Sequence, residues 1–298
     1  MRVVTNTVSN EIVRQIQLLG TKQARLQNEV ATGQRIFQPE DDPTAVGRVL
    51  NLESEQRNTT QYQQNATRAK ELSQASYSGL QSIKKVSDRA TEIGTLGSSI
   101  LNPSAASAYA SEVNQLIEQT VQLANTRFRN DYIFAGTAVD TAPYTAARNA
   151  QGNVTGVTFG GNAQQQTIQL TESSSISPTT TNATNLGLQT FINDLVALRD
   201  ALQSNSSPGV AAAQTGLLAG EDLLVSSLAE HGGVQTRIEA TQVQLTGRAT
   251  DLESLVSREA DADLPTSVVR LNQAQTAYQA ALQSAANLMQ VSLLDYLS

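Results

Sequence analysis

Residues 264–297 have the sequence LPTSVVRLNQAQTAYQAALQSAANLMQVSLLDYL, in which apolar side chains recur at helical spacing. These positions are Leu264, Val268, Leu271, Tyr278, Leu282, Ala285 and Met289. A second stripe of the same kind lies near the other end of the chain, at Ile12, Ile16, Leu19, Leu26 and Val30. An isolated amphipathic helix is marginal in water and needs a partner for its apolar face. The two ends are therefore predicted to pair as helices, with each other and with copies of the same chain.

The composition limits the kind of core that this chain can build. Of its 298 residues, 39% are hydrophobic but only 4% are aromatic, and tryptophan is absent. Large compact cores usually rely on aromatic side chains, so thin seams of Ala, Leu, Ile and Val between long helices are predicted instead. The length would allow about two domains of ordinary size.

Charge and hydropathy argue against several classes of protein. Twenty Lys and Arg against 27 Asp and Glu give a formal net charge of −7 without a basic stripe, so nucleic acid is not a predicted partner. Cysteine is absent, and no stretch approaches the ~20 apolar residues of a membrane-spanning helix, so membrane insertion is not predicted. Residues 1–6 lack the pattern of a signal peptide. By these signs alone, the protein would be assigned to the cytoplasm.

Breaks and caps divide the helical pattern of the first half of the chain. A first helix is predicted over about residues 9–30, followed by a loop that contains glycine and two prolines. Asp42 followed by proline is a typical helix start, so a long helix is expected from there to about residue 100. The sequence Asn-Pro-Ser at 102–104 ends that helix. A returning helix is predicted over about 105–129, with Phe128 on its apolar stripe.

The middle of the chain has a different character. Between residues 132 and 190 the only charged side chains are Asp140, Arg148 and Glu172. β-like runs occur at 154–159 and 166–170, so a small β insertion with hairpins is predicted. A long helix is predicted after the Ser-Pro-Gly sequence that starts at residue 207, because heptad spacing drives helix packing over long distances. Its stripe is Val234, Ile238, Thr241, Leu245, Arg248, Leu252 and Leu255.

These segments together predict a mainly α protein with a small β insertion. The expected architecture is an elongated antiparallel helical bundle or coiled coil with paired terminal helices and a distal β-rich domain. The predicted regions are an N-terminal helix and loop (1–43), the first long helices of the inner bundle (44–130), the β-rich domain (131–188), the returning long helices (189–262) and a C-terminal helix (263–298). The first and last regions are predicted to carry assembly.

The sequence contains no typical pattern of an active site, a cofactor site or a metal site. His231 is the only histidine, and without a partner constellation a surface position on a helix is favoured over catalysis. For the acidic run 40–42, helix capping and loop solvation are favoured over cation binding. Glu259, Asp261 and Asp263 do not share one helix face, and Asp263 is interpreted as the cap of the last helix. We therefore predict no catalytic, cofactor-binding or metal-binding residues, and a protein that is not an enzyme.

Three segments of the chain resemble the flagellin superfamily. The first is Thr32-Gly33-Gln34-Arg35-Ile36 with the following Pro39-Glu40-Asp41-Asp42-Pro43. The second, Tyr132-Ile133-Phe134-Ala135-Gly136-Thr137, resembles a segment of those members that lie at the junction of hook and filament. The ending Leu293-Leu294-Asp295-Tyr296-Leu297 is similar to theirs. Pro265-Thr266 departs from the Ala-Glu that is common in the family, and the loss of a capping-box glutamate is expected to weaken the start of the last helix.

The resemblance implies a structural component of the bacterial flagellum. Its members at the junction form an adaptor ring that joins hook to filament and is required for filament attachment and motility. The implied partners are further copies of the same chain, the neighbouring hook-associated protein on the hook side, and flagellin or a flagellin-like subunit on the filament side. The resemblance also implies an export chaperone, export through the flagellar type III apparatus without a cleaved signal peptide, and an extracellular location on the flagellum.

Rival interpretations stay open at this point. A short flagellin that forms the filament itself would share the same terminal helices. A type III-secreted helical effector or translocator belongs to another class, but the glutamine-rich stretch 271–294 argues against a helix that seeks lipid. An enzyme within the β insertion is the third alternative.

The residues expected to carry assembly are the apolar stripes of the two ends. Because such stripes drive helix-on-helix packing, they are expected to contact neighbouring subunits as well as each other. The predicted interface consists of Ile12, Ile16, Leu19, Leu26, Val30, Leu271, Tyr278, Leu282, Met289 and Leu293.

Overall fold

The computed structural model describes the backbone of residues 2–98 and 102–297 and the side chains of residues 10–98 and 102–287. This part of the chain is mainly α-helical, with a few short antiparallel strand pairs. Its helices are α1 (Arg2–Thr32), α2 (Pro43–Ser98), α3 (Pro103–Ala124), α4 (Asn182–Gln203), α5 (Ser207–Ala260) and α6 (Leu264–Leu297). Its strands are β1 (Arg127–Phe128), β2 (Asp131–Tyr132), β3 (Tyr144–Arg148), β4 (Val154–Phe159), β5 (Ile168–Gln169) and β6 (Ser175–Ile176).

The chain divides into two compact units. The terminal unit comprises residues 1–58 and 249–298, and the middle unit comprises residues 59–248. The terminal unit contains α1 packed against α6. The middle unit contains α3, α4 and all the strands named above.

Local capping signals set the starts of α2, as predicted, and of α3, whose cap was not predicted. The backbone N–H of Ala45 donates to Asp42 Oδ1 at 3.0 Å, and Pro43 is the first residue of α2. The N–H of Ser104 donates to Asn102 Oδ1 at 2.9 Å, so Asn102 caps α3. In both cases a short polar side chain satisfies an N–H that the helix itself leaves unpaired.

The predicted extension of α3 to residue 129 is wrong, because the helix ends at Ala124. Asn125 caps this end, and its side chain accepts from the N–H of Tyr144 at 3.0 Å and donates to the carbonyl of Tyr144 at 2.9 Å. These bonds tie the end of α3 to β3. Phe128, which was predicted on the helix stripe, lies instead in β1 and pairs with Asp131.

The β insertion consists of three separate two-stranded antiparallel pairs. The predicted strand 154–159 is confirmed as β4, and its partner is β3, which no sequence signal identified. The predicted run 166–170 forms only the short β5, which pairs with β6. The β1–β2 connection is a tight turn in which Arg129 and Asn130 have φ of 50° and 80°, the left-handed conformation typical of short hairpin turns.

Side chains of α4 satisfy the outer edge of β4. The N–H of Val157 donates to Asn193 Oδ1 at 2.8 Å, and Asn193 Nδ2 donates back to the Val157 carbonyl at 3.2 Å. Gln189 Oε1 accepts from the N–H of Phe159, and the buried Arg199 donates to the carbonyl of Val154. An open strand edge would otherwise leave these groups unpaired. The hairpin is therefore fixed to α4 by directional bonds as well as by apolar packing.

Candidate assembly surface on the terminal helices

The inner face of α6 packs against α1 with a seam of mostly small side chains. Leu26 of α1 and Ser267, Ala274 and Ala285 of α6 are buried. The ring of Tyr278 packs over Gly20 of α1, where an added Cβ would lie 3.4 Å from Tyr278 Cε2, an ordinary van der Waals contact. The other predicted residues with described side chains on this inner face are half-buried: Ile12, Ile16, Leu19, Val30, Leu271 and Tyr278.

Beside this seam, α6 exposes a stripe of large apolar side chains. Leu264, Val268 and Leu282 expose 45%, 42% and 44% of their surface, and we call these three residues the exposed α6 stripe. Leu264 and Leu282 are 18 residues apart, about five helical turns, so they lie at the same angular position. Leu264 and Val268 are one turn apart, and Leu282 lies about 21 Å further along the helix. Exposed apolar side chains aligned along a helix are candidates for contact with a partner.

The predicted interface residues thus fall into different classes. Leu282 lies on the exposed α6 stripe, whereas the other predicted residues with described side chains lie in or beside the α1–α6 seam. The exposed Leu264 and Val268 belong to the apolar pattern of α6 but were not among the predicted interface residues. The side chains of Met289 and Leu293 lie outside the described residues.

The loop after α1 is tied to the turn between α5 and α6. The N–H of Arg35 donates to the carbonyl of Ala260 at 2.7 Å, and the N–H of Ala262 donates to the carbonyl of Gly33 at 2.8 Å. Gly33 has a φ of 74°, a left-handed conformation that glycine adopts without strain. The Thr-Gly-Gln-Arg-Ile motif therefore forms a short backbone bridge that holds the C-terminal end of α1 close to the N-terminal end of α6.

Charged side chains reinforce this bridge, and together they form what we call the base clamp: Arg25, Arg35, Arg48, Asp41, Asp42 and Glu259. Arg48 Nη2 lies 2.8 Å from Glu259 Oε2, and Arg35 donates to the carbonyl of Glu259 at 2.8 Å. Arg35 also pairs with Asp42 at 3.4 Å, and Arg25 pairs with Asp41 at 3.2 Å. Within the described residues, no group of three or more His, Cys, Asp or Glu side chains could hold a metal ion.

Hydrogen bonds hold the pKa values of the clamp carboxylates below their ordinary range. The guanidinium of Arg48 lowers the pKa of Glu259, and the N–H of Ala45 lowers the pKa of Asp42. The N–H groups of Phe37 and Gln38 lower the pKa of Asp41. The acidic run 40–42 therefore supplies a helix cap and loop contacts, as the sequence predicted.

Acid is expected to loosen the base clamp. A carboxylate with a lowered folded-state pKa contributes stability that is complete above its ordinary pKa and is lost as the pH falls through the folded value. The stability advantage of the wild type over Glu259→Gln should therefore shrink as the pH falls below 4.5, the ordinary pKa of glutamate. Urea unfolding of both proteins between pH 6 and pH 3 measures this difference. Asp251→Asn, at an exposed position of the same unit, is the control and should show no such trend.

The start of α6 has a cap despite the departure from the family pattern. Thr266 Oγ1 donates to Asp263 Oδ2 at 2.6 Å, and the N–H of Thr266 donates to Asp263 Oδ1 at 3.3 Å. The hydrogen bonds from Thr266 lower the pKa of Asp263. Ser267 then donates to Glu29 Oε1 of α1 at 2.6 Å. The threonine thus replaces the expected glutamate with another polar contact at the same cap, and Asp263 acts as the cap that the sequence predicted.

The Ile-Phe-Ala-Gly motif has a structural role that its sequence did not disclose. Ile133, Phe134 and Ala135 are buried in the middle unit. The ring of Phe134 packs on α2 at Gly79, where an added Cβ would lie 2.9 Å from Phe134 Cζ. Gly136 then turns the chain with a φ of 70°. The motif anchors the start of the β insertion to α2.

The prediction of a surface position for His231 is wrong. The side chain is buried, with 3% exposed, and its Nδ1 lies 3.4 Å from Ser73 Oγ of α2. Burial lowers the pKa of the imidazole from its ordinary value of 6.5. The apolar residues before and after His231 carry the seam of α5, and helical spacing places His231 on the same side. The polarity of the imidazole suggested an exposed side chain, but the position of His231 on the packed side of α5 buries it.

Comparison with known families places the chain. The bacterial flagellin N-terminal helical region matches residues 3–139, and the bacterial flagellin C-terminal helical region matches residues 224–297. Together these regions cover most of the chain, which belongs to the flagellin superfamily.

Within this superfamily, the chain is similar to proteins named flagellar hook-associated protein 3. It is 28% identical to that of Escherichia coli over 147 residues, which cover 49% of this chain and 46% of the relative. It is 27% identical to that of Salmonella typhimurium over 149 residues, which cover 49% and 47%. The chain thus spans about half the length of the curated relatives it matches.

Solved structures share the fold. A flagellar hook-associated protein from Vibrio parahaemolyticus superposes with a TM-score of 0.66 at 19% identity, covering 74% of this chain and 100% of that chain. FlgL of Bacillus cereus superposes with a TM-score of 0.60 at 19% identity, covering 70% and 99%. In the described part of this chain, none of the helices is both long enough and apolar enough to cross a bilayer.

Proposed function

We propose that this protein is a structural, non-enzymatic component of the bacterial flagellum that joins hook to filament as an adaptor ring and is required for filament attachment and motility. The observation that carries the proposal is the exposed α6 stripe. A helix already paired with α1 still presents Leu264, Val268 and Leu282 to solvent. Such a surface suits a subunit whose terminal helices pack against other subunits.

The proposed interface combines the exposed stripe with the predicted terminal residues. Within one molecule, the half-buried seam residues bury only part of their apolar surface, so contacts with neighbouring subunits would bury more. The interface is proposed to comprise Ile12, Ile16, Leu19, Leu26, Val30, Leu264, Val268, Leu271, Tyr278, Leu282, Met289 and Leu293.

The partners follow from the adaptor role. They are copies of this chain within the ring, a hook-associated protein on the hook side, and flagellin or a flagellin-like subunit on the filament side. The same role includes a dedicated chaperone, export by the flagellar type III apparatus without a cleaved signal peptide, and a location outside the cell. The names of the curated relatives support this role.

A strain that lacks the protein distinguishes an adaptor from a filament subunit. We expect electron micrographs of this strain to show hooks on the cells and filaments shed into the medium. Cells with neither attached nor shed filaments would contradict the adaptor role and would favour a short flagellin.

Seeded polymerisation of the purified protein gives an independent result, because an adaptor adds a limited layer whereas a flagellin grows long tubes.

A truncation tests whether the end of α6 takes part in assembly. Deletion of residues 288–298 should leave the middle unit folded, because this unit comprises residues 59–248. The truncated protein should fail to restore filament attachment in the strain that lacks the protein. Normal motility with the truncated protein would show that the terminal helices do not carry assembly.

A further inference from the structure

The middle unit contains a layer of buried polar side chains at the boundary of two apolar clusters. On α2, Ser73 and Ser76 are fully buried between Ala69 and Leu80. On α5, Ser227 and His231 are each 3% exposed. Among the described residues, Ala69 belongs to one apolar cluster, whereas Leu72 and Leu80, which lie before and after the two serines, belong to the other. We call Ser73, Ser76, Ser227 and His231 the polar layer.

The sequence of α5 shows the same boundary. Leu224 belongs to the same cluster as Leu80, and Ile238 belongs to the same cluster as Ala69. Between them, on the same helix, lie Ser227 and His231. Buried polar side chains of both long helices therefore meet at the same level, since the imidazole of His231 faces Ser73 across the interface at 3.4 Å.

The hydrogen bonding of this region is incomplete. Ser76 Oγ, Asn185 Nδ2 and Gln235 Nε2 are buried and have no hydrogen-bond partner among the described residues. Ser227 Oγ lies 3.0 Å from Thr184 Oγ1, which extends the polar contacts to the start of α4. Buried polar groups without partners weaken a core, because they lose their bonds to water and gain none in the protein.

Two glycines follow His231 within α5. Gly232 and Gly233 are helical, and a Cβ at either position would have no contact within 4 Å. Glycine inside a helix favours unfolding because the open chain gains more freedom than it would with alanine. Neither glycine is required by close packing, so here they only lower the local stability of the helix.

The charged side chains near the polar layer either form ion pairs with residues outside the layer or are exposed to solvent. On α2, Lys70 pairs with Glu239 at 2.9 Å, and Glu71 pairs with Arg129 at 2.7 Å. On α5, Glu230 is exposed. The segment 173–193, which includes the start of α4, carries no charged residue. Among the described residues, burial accounts for the lowered pKa of His231, so the buried site disfavours the imidazolium.

We infer that the middle unit opens locally at the polar layer, and that protonation of His231 drives this opening. Above the ordinary pKa of 6.5, the imidazole is neutral in both the closed and the open form. As the pH falls below this value, the open form binds a proton that the closed form does not bind. The opening constant should rise by about tenfold for each unit by which burial lowers the pKa, and it should level off below the folded-state value.

A single histidine makes the inference directly measurable. The ring protons of His231 give one set of imidazole signals in the NMR spectrum of the full-length protein, because the sequence has no other histidine. Their titration should give a pKa below 6.5. Hydrogen exchange at pH 7 and pH 5, corrected for intrinsic rates, should show faster opening around residues 227–235 than in the flanking clusters, and a further increase at pH 5.

Variants separate the imidazole from other causes. His231→Asn should abolish the increase in opening between pH 7 and pH 5. Burial also raises the pKa of Asp194, so Asp194→Asn is the control and should keep that increase. Replacing Gly232 and Gly233 with alanine should lower the opening constant at both pH values by about fivefold per site, since each replacement favours the helix.

Several outcomes would overturn the inference. The first is a pKa of His231 at or above 6.5. The second is an equal pH dependence of opening in the wild type and in His231→Asn. The third is exchange at the polar layer that is no faster than in the apolar clusters on either side. The inference does not depend on the proposed flagellar role, because all these measurements use the isolated chain.

Discussion

Replacing both Val268 and Leu282 with aspartate is expected to abolish filament attachment without unfolding the protein. Both side chains are more than 40% exposed in the single molecule and neither belongs to a buried apolar cluster, so we expect the variant to fold. In the proposed ring they would bury carboxylates against an apolar neighbour, at a cost of roughly 2–7 kcal/mol for each unpaired polar group. The measurement is the fraction of cells with attached filaments when the variant replaces the missing protein.

A matched substitution controls for charge and surface change. Val243 of α5 is 75% exposed and lies in the middle unit. Val243→Asp adds the same group to an exposed helical position outside the terminal unit, and it should leave attachment normal. Circular dichroism and urea unfolding should show that all these variants retain the wild-type fold. Attached filaments on cells that carry the double variant would refute assembly through the exposed α6 stripe.

Substitution of Gly136 by alanine is expected to lower the free energy of unfolding of the middle unit by about 2–5 kcal/mol. Its φ of 70° costs an L-residue about 1–2 kcal/mol. An added Cβ would also lie 2.5 Å from Asn162 Oδ1 and 2.7 Å from the carbonyl oxygen of Gln164, and such overpacking typically costs about 1–3 kcal/mol. Urea unfolding followed by the near-ultraviolet signal of tyrosine measures the change.

Gly152 provides the control that separates the two costs. It has a φ of 84°, but a Cβ there would meet no heavy atom within 4 Å. Gly152→Ala should therefore cost only the conformational part, about 1–2 kcal/mol. Equal losses for the two variants would show that the contacts with Asn162 and Gln164 do not constrain Gly136. Gly136→Ala should also lose the hydrogen bond from the N–H of Thr137 to Asn162 Oδ1, which is 2.9 Å long.

The helices could be predicted because their signals are local. Asp42 before Pro43, and Asn102 before Pro103, start helices through bonds to N–H groups two or three residues ahead. The strand β4 was also predictable from its own residues. Its partner β3 was not, because strand pairing joins segments distant in sequence and depends on where Asn125 ends α3. Because Asn125 caps the end of α3, Phe128 lies beyond the helix and belongs to strand β1.

The functional surface shows the same division. The apolar spacing of α6 indicated that the helix needs partners, but it could not tell the side chains that pack on α1 from those that stay exposed. Ala274 and Ala285 are buried against α1, whereas the larger Leu282 remains exposed. Size and hydrophobicity do not decide which face packs internally. The contacts with α1, such as that of Tyr278 with Gly20 and that of Ser267 with Glu29, determine it.

The amino-acid sequence by itself determined the helices, their caps, the β4 strand and the apolar character of both ends, because these depend on residues within a few positions of each other. Only the tertiary structure decided which apolar side chains stay exposed, which strand pairs with β4, and that His231 is buried opposite Ser73. These features arise from contacts between segments far apart in the chain. The free energy of burying a side chain or pairing a strand depends on all the segments packed around it, and a local sequence pattern contains no information about those segments.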